Sequence, residues 1–181
     1  MNKSIKGQQG GFTLIELIVV IVILGILAAT ALPRFAALGG EARMASLNAA
    51  KGALSATSAM THGRFLMARA ATIPVEGVTV AMNDVSGYPA ITTTQEARAL
   101  ADASGLTEAD YTLYTEGGTA NNTRPQVAAG QIALVPNSIA GTRTAVSCFV
   151  MYTAATGRDT APVYAVGAAG RTAAERVQDC E

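Results

Sequence analysis

Apolar residues follow one another almost without a break from Phe12 to Leu32, and Glu16 is the only ionisable side chain among them. The run is about 21 residues long, close to the roughly 20 an α-helix needs to cross a hydrocarbon core. Beyond Pro33 the pattern loosens. A helical reading continues from Ala36 to about Ala70, rich in alanine and free of proline until Pro74. There Leu47, Leu54, Ser58, Thr61 and Phe65 fall at helical spacing along one face, a stripe suited to packing on a sheet.

After Pro74 the period shortens to that of strands, in runs from Val75 to Met82, Tyr111 to Thr115, Gln131 to Val135, Ala145 to Thr153 and Pro162 to Val166. Between them Thr94 to Ala103 reads as a short helix, with Thr94 as its N-cap and Gly105 near its end. Loops are expected at Asn83-Asp84, at Ser86-Gly87-Tyr88-Pro89, at Glu116-Gly117-Gly118 and at Asn121-Asn122. The pattern predicts an α+β chain: a long N-terminal α-helix, its first half of transmembrane character, packed through its second half on a C-terminal antiparallel β-sheet. A helix from Phe12 to about Phe65 would span about 80 Å, too long for a compact domain of this size, so its apolar half should project.

The residues before the run change what it means. In a secretory signal the small-residue cleavage site follows the apolar core. Here Gly10 and Gly11 precede it, behind a leader whose only charged side chains are Lys3 and Lys6. Cleavage after Gly11 leaves the apolar segment on the mature chain. The two lysines keep the leader cytoplasmic, and everything beyond Pro33 then faces the periplasm or the exterior.

Glu16 carries a cost in such a segment, because an acidic residue at the centre of a membrane helix is unfavourable by about 2.5 to 3.5 kcal/mol. It lies only about 6 Å along the helix from Phe12, near one interface. One reading makes it an incidental glutamate at the end of a signal anchor. The other makes it an assembly device, because a new α-amine on Phe12 would be the nearest strong positive charge, best presented by a neighbouring chain shifted along the axis. Gly25 and Pro33 likewise admit two readings, an ordinary kinked membrane helix or a segment that bends or melts when subunits pack.

The stretch Gly11-Phe12-Thr13-Leu14-Ile15-Glu16 resembles the class III signal of type IV prepilins. That resemblance implies cleavage by a prepilin peptidase between Gly11 and Phe12, and N-methylation of Phe12. It makes Glu16 the family's fifth-position glutamate, with Phe12 and Glu16 pairing between subunits during assembly. Gly25 and Pro33 fall at the family's points of helix flexibility. The implied division is a leader over 1–11, a transmembrane and polymerisation helix over 12–33, and a periplasmic or extracellular globular domain over 34–181 that includes the second half of the long helix. The implied partners are other copies of the chain in a helical filament, the prepilin peptidase, the inner-membrane pilus assembly machinery, and the membrane itself before assembly. The precursor would sit in the inner membrane and the product in an extracellular pilus.

Gly87-Tyr88-Pro89, the helix after it, and Cys148-Phe149-Val150-Met151-Tyr152-Thr153 further resemble the mannose-sensitive haemagglutinin pilin group, which implies adhesion; motility and DNA uptake are other roles of such filaments. The rival reading is a pseudopilin of a type II secretion system, which shares the leader and helix.

Composition narrows the chemistry. The 181 residues allow one globular domain beside the anchor, and the mean hydropathy of +0.30 is inflated by the apolar run. Of 13 basic side chains, loss of Lys3 and Lys6 leaves 11 against 13 acidic ones. With no basic surplus, nucleic acid is not an expected partner. Cys148 and Cys180 both lie in the exported part, where an oxidising compartment would let them pair. Such a bridge would close a loop of about 33 residues and contribute roughly 3.5 kcal/mol. Two thiols or a zinc site are the alternatives, the latter disfavoured by a single histidine, His62. The prepilin resemblance implies the disulfide, as the boundary of a C-terminal D-region.

Catalytic material is sparse. His62, within Thr61-His62-Gly63-Arg64, reads as a solvated surface histidine, and there is no phosphate-binding glycine loop, no Gly-x-Ser-x-Gly elbow and no EF-hand pattern. No enzymatic activity, cofactor or metal is expected. Asn121-Asn122-Thr123 satisfies the N-linked sequon but reads as loop chemistry in a bacterial prepilin. Arg143, Arg158, Arg171 and Arg176 would meet an anionic surface only if the fold clusters them.

Overall fold

The computed structural model describes residues 13–116 and 121–181. The chain divides into two compact units, Met1–Ala37 and Leu38–Glu181. Helix α1 runs through both, from Leu14 to Ala68, over 55 residues. Gly25, Pro33, Gly39 and Gly40 all lie inside it, although each lowers helix propensity.

In the second unit the inward face of α1 is the expected stripe: Leu47, Leu54, Ser58 and Thr61 are fully buried and Phe65 nearly so. The Thr61 hydroxyl is satisfied within the helix, donating to the Thr57 carbonyl at 2.9 Å, which lets a polar residue sit on a buried face. The stripe belongs to one apolar cluster with Leu100 and Ala101 of α2 (Thr94–Ala103) and with the sheet. Ser46 and the Tyr111 hydroxyl, 2.7 Å apart, add a polar contact between α1 and the start of β3.

Strands β3 (Tyr111–Thr115), β4 (Gln131–Pro136), β5 (Val150–Thr153) and β6 (Val163–Val166) form an antiparallel sheet in chain order. Its centre is β4, where Ile132, Ala133, Leu134 and Val135 are all buried. Since neighbours along a strand point to opposite faces, both faces of β4 are covered, which accounts for its unbroken apolar run. On β5, Tyr152 is fully buried and its hydroxyl donates to the Pro89 carbonyl at 3.1 Å, tying the sheet to the loop before α2.

Several elements differ from the sequence expectation. The single run Val75 to Met82 is two strands, β1 (Thr72–Val75) and β2 (Val78–Ala81), paired Val75 to Val78. Glu76 and Gly77 turn the chain with φ of 48° and 84°, the doubly positive pair that a tight hairpin needs. The run Ala145 to Thr153 is also divided: Arg143–Val146 forms a 3-10 turn, and only Val150–Thr153 is strand. Ala145 is buried by that turn rather than by sheet pairing.

The N-cap of α2 is Thr93, not Thr94: the Thr93 hydroxyl accepts from Glu96 N at 3.2 Å while Glu96 accepts from Thr93 N at 3.1 Å. A third helix, α3 (Ala173–Asp179), was not expected, and it opens on the same reciprocal pattern between Thr172 and Glu175.

His62 is not a freely solvated surface group. It is half-buried, Nδ1 donates to the Gly87 carbonyl at 2.8 Å, and the ring stacks on Tyr88 with centroids 3.9 Å apart. Gly117 and Gly118 of the expected Glu116-Gly117-Gly118 loop lie outside the described residues.

Candidate functional site

The candidate site is the first unit's helix. Leu14–Leu32 is 19 residues with a mean hydropathy of 2.8, long and apolar enough to cross a membrane. At 1.5 Å per residue it covers about 28 Å, against a hydrocarbon core of about 30 Å. None of it is buried: Leu14 is 75% exposed, Ile21 57% and Leu27 59%. A helix that is apolar all round and has none of its span buried among the described residues requires another apolar phase. Its polar hydroxyl is internally satisfied, since Thr30 donates to the Leu27 carbonyl at 2.9 Å.

The start of this helix is built by two residues. Thr13 N donates to Glu16 Oε2 at 2.8 Å, the Thr13 hydroxyl donates to the same oxygen at 2.8 Å, and Glu16 N donates back to Thr13 Oγ1 at 3.3 Å. This is a capping box, with Thr13 as N-cap and Glu16 at the third helical position. Its carboxylate also faces the positive end of the helix dipole. Sequence reasoning assigned Glu16 to an amine on a neighbouring chain and missed Thr13. The signal was present, a threonine followed three residues later by glutamate before an apolar run. Both described contacts of the carboxylate use Oε2.

Gly11 and Phe12, the expected cleavage and methylation positions, lie outside the described residues. Gly25 and Pro33 lie within α1, and a Cβ added at Gly25 would meet nothing within 4 Å. In the second unit Cys148 and Cys180 are bonded, with Sγ atoms 2.01 Å and Cα atoms 5.0 Å apart, and both are fully buried. The bridge holds the C-terminal end of α3 against the segment before β5. Arg43 of α1 reaches the same place, donating to the Cys180 carbonyl and, at 3.2 Å, to Glu181 O.

Asn121 is the head of a local turn: its Oδ1 accepts from both Thr123 N and the Thr123 hydroxyl at 2.8 Å. Among the described residues no three His, Cys, Asp or Glu side chains converge.

Comparison with known proteins bears on the same segment. The family described as the prokaryotic N-terminal methylation motif matches residues 6–32, a stretch that contains Leu14–Leu32. The chain is also similar to the type IV narrow pilus major component PilA5 of Thermus thermophilus, at 50% identity over 50 residues. That match spans 28% of this chain and 43% of the relative, less than half the relative's length. No solved structure matches.

Proposed function

We propose that the chain is the precursor of a structural subunit, a pilin, of a type IV pilus-like surface filament. In this reading Leu14–Leu32 first holds the chain in the inner membrane, with Lys3 and Lys6 on the cytoplasmic side. A prepilin peptidase cuts after Gly11 and Phe12 becomes the methylated terminus. The assembly machinery then moves the helix out of lipid and against the helices of other subunits. The observation that carries the reading is an apolar helix with none of its span buried among the described residues, opened by the Thr13 and Glu16 cap and lying inside the matched motif.

The helix leaves lipid rather than water, so the gain on assembly is van der Waals packing between copies and not a water-transfer term. Glu16 sets the axial register by meeting a neighbour's Phe12 amine. Gly25 and Pro33 supply helix flexibility during packing. Adhesion is the role we assign to the filament, on the resemblance of Gly87-Tyr88-Pro89 and of Cys148 to Thr153 to the mannose-sensitive haemagglutinin group.

Mass spectrometry of filaments sheared from cells tests the reading. The expected species starts at methylated Phe12 and carries an intact Cys148 to Cys180 bridge. Assembled material that still starts at Met1 would sink it. A protein retained wholly in the periplasm, absent from surface filaments, would instead identify a secretion pseudopilin.

A further inference from the structure

Three of the four arginines singled out in the sequence converge on one face of the second unit. Arg143 and Arg171 line the same open groove of about 590 Å³, together with Asn122, Val146, Ser147 and Ala168. Arg176 underlies one wall, donating to the Arg171 carbonyl at 2.8 Å. Arg158 does not line it.

The two guanidinium groups differ in their partners. Arg171 is held by carboxylates, Asp179 at 3.1 Å and Glu175 at 3.8 Å. Arg143 is exposed and, among the described residues, has no carboxylate within 4 Å. The groove therefore offers one uncompensated guanidinium, an amide at Asn122, a hydroxyl at Ser147 and two small apolar side chains at Val146 and Ala168.

The walls are also pinned. Arg143–Val146 runs directly into Cys148, and the other wall, through Arg171, runs into α3 and Cys180, so both are tied to one disulfide. They approach closely because position 167 is glycine: a Cβ there would lie 3.1 Å from the Ser147 carbonyl oxygen, at a φ of 71°. A preformed groove loses less ordering entropy on binding.

We propose that this groove binds a carboxylated saccharide, such as a uronic acid residue of a surface polysaccharide. The Arg143 fork takes the carboxylate through two parallel N–H···O bonds. Asn122 and Ser147 take ring hydroxyls, and the C–H face of the sugar lies on Val146 and Ala168. A bare phosphate would use Arg143, Asn122 and Ser147 as donors but leave the apolar wall of Val146 and Ala168 idle. The inference does not depend on filament assembly, because the groove lies wholly within Leu38–Glu181.

The test is calorimetric titration of the full chain in detergent micelles at low salt, with trigalacturonate as probe and its methyl ester as the uncharged control. Trigalacturonate is expected to bind and the ester to bind at least about tenfold more weakly, since a charge-assisted bidentate contact is lost. Arg143→Gln should weaken trigalacturonate binding by about the same factor, Arg143→Lys by less, and Lys51→Gln, outside the groove, should leave it unchanged. Equal binding of acid and ester, unchanged binding by Arg143→Gln, or full displacement by equimolar inorganic phosphate would overturn the proposal. Because Arg143 is exposed, loss of binding is read only with an unchanged unfolding midpoint.

Discussion

Gly40 of α1 and the carbonyl of Val177 in α3 are in direct contact, so close that a Cβ on Gly40 would lie 2.5 Å from the Val177 oxygen and 2.8 Å from Glu181 Cγ. The first of these is backbone and cannot rotate away. Gly40→Ala should therefore displace α3 and cost about 1 to 3 kcal/mol, as overpacking does. Gly52, on the same helix, has nothing within 4 Å of an added Cβ, so Gly52→Ala should stabilise by up to about 1 kcal/mol. Thermal unfolding of the two variants in micelles should give shifts of opposite sign. A Gly40→Ala protein as stable as Gly52→Ala would refute the contact.

Tyr152 makes a prediction about alkaline pH. Burial, with Tyr164 nearby as the next cause, pushes its hydroxyl well above the usual value of 10.0, and Tyr164 is shifted the same way, chiefly by its own burial. A raised folded pKa means that above pH 10 the native state retains a proton the unfolded chain has lost. The stabilisation is complete below pH 10 and declines as the pH rises beyond it. Tyr152→Phe should shallow that alkaline slope without abolishing it, since Tyr164 remains. At neutral pH it should cost about 1 kcal/mol, through the Pro89 carbonyl left without its donor. Urea midpoints measured from pH 8 to pH 11 give both numbers, and an unaltered slope would count against burial as the cause.

Glu16 now has two candidate tasks, and two substitutions separate them. Glutamine can still accept from Thr13 N, so Glu16→Gln keeps the cap and loses the charge; Glu16→Ala loses both. If Glu16 sets register through a neighbour's amine, both variants are processed after Gly11 yet neither forms filaments. Normal filaments from Glu16→Gln alone would assign the residue to capping. Electron microscopy of sheared material, with mass spectrometry of the membrane fraction, reads the outcome.

The bridge between Cys148 and Cys180, 32 residues apart in sequence, should contribute about 3.5 kcal/mol by constraining the unfolded chain. Replacing both cysteines with serine should lower the unfolding midpoint by that measure. It should also raise amide exchange in α3 well above that in β4, because no residue of α3 itself is buried whereas β4 is the buried centre of the sheet. Uniform loss of protection across the second unit would show instead that the bridge supports the whole core.

What was legible from sequence depended on how local the cause was. The apolar run, the inward stripe from Leu47 to Phe65 and the strand at Tyr111 to Thr115 rest on periodicity and appear as expected. Threonine and glutamate three residues apart open all three α-helices among the described residues, at Thr13, Thr93 and Thr172. That repeated pattern would have found α3 and moved the cap of α2, but α3 is too short to show a period. The hairpin at Glu76-Gly77 was hidden because its turn lacks the usual Asn-Gly or Asp-Gly pair. The sequence offered Arg143 and Arg171 as candidates but not their convergence on one groove. Its walls lie about 25 residues apart, and only the pairing of β5 with β6 and the disulfide bring them together.

The sheet order carries a consequence for an exported chain. Each of β3, β4, β5 and β6 pairs with the strand next to it in sequence, so the sheet can zip up progressively as successive segments leave the membrane. Folding need not wait for a distant partner until α3 arrives. Oxidation of Cys148 with Cys180 is then a late step that locks a finished sheet, and under the proposed export an oxidant-poor compartment would yield chains whose sheet has formed but whose Arg143 groove is not yet pinned.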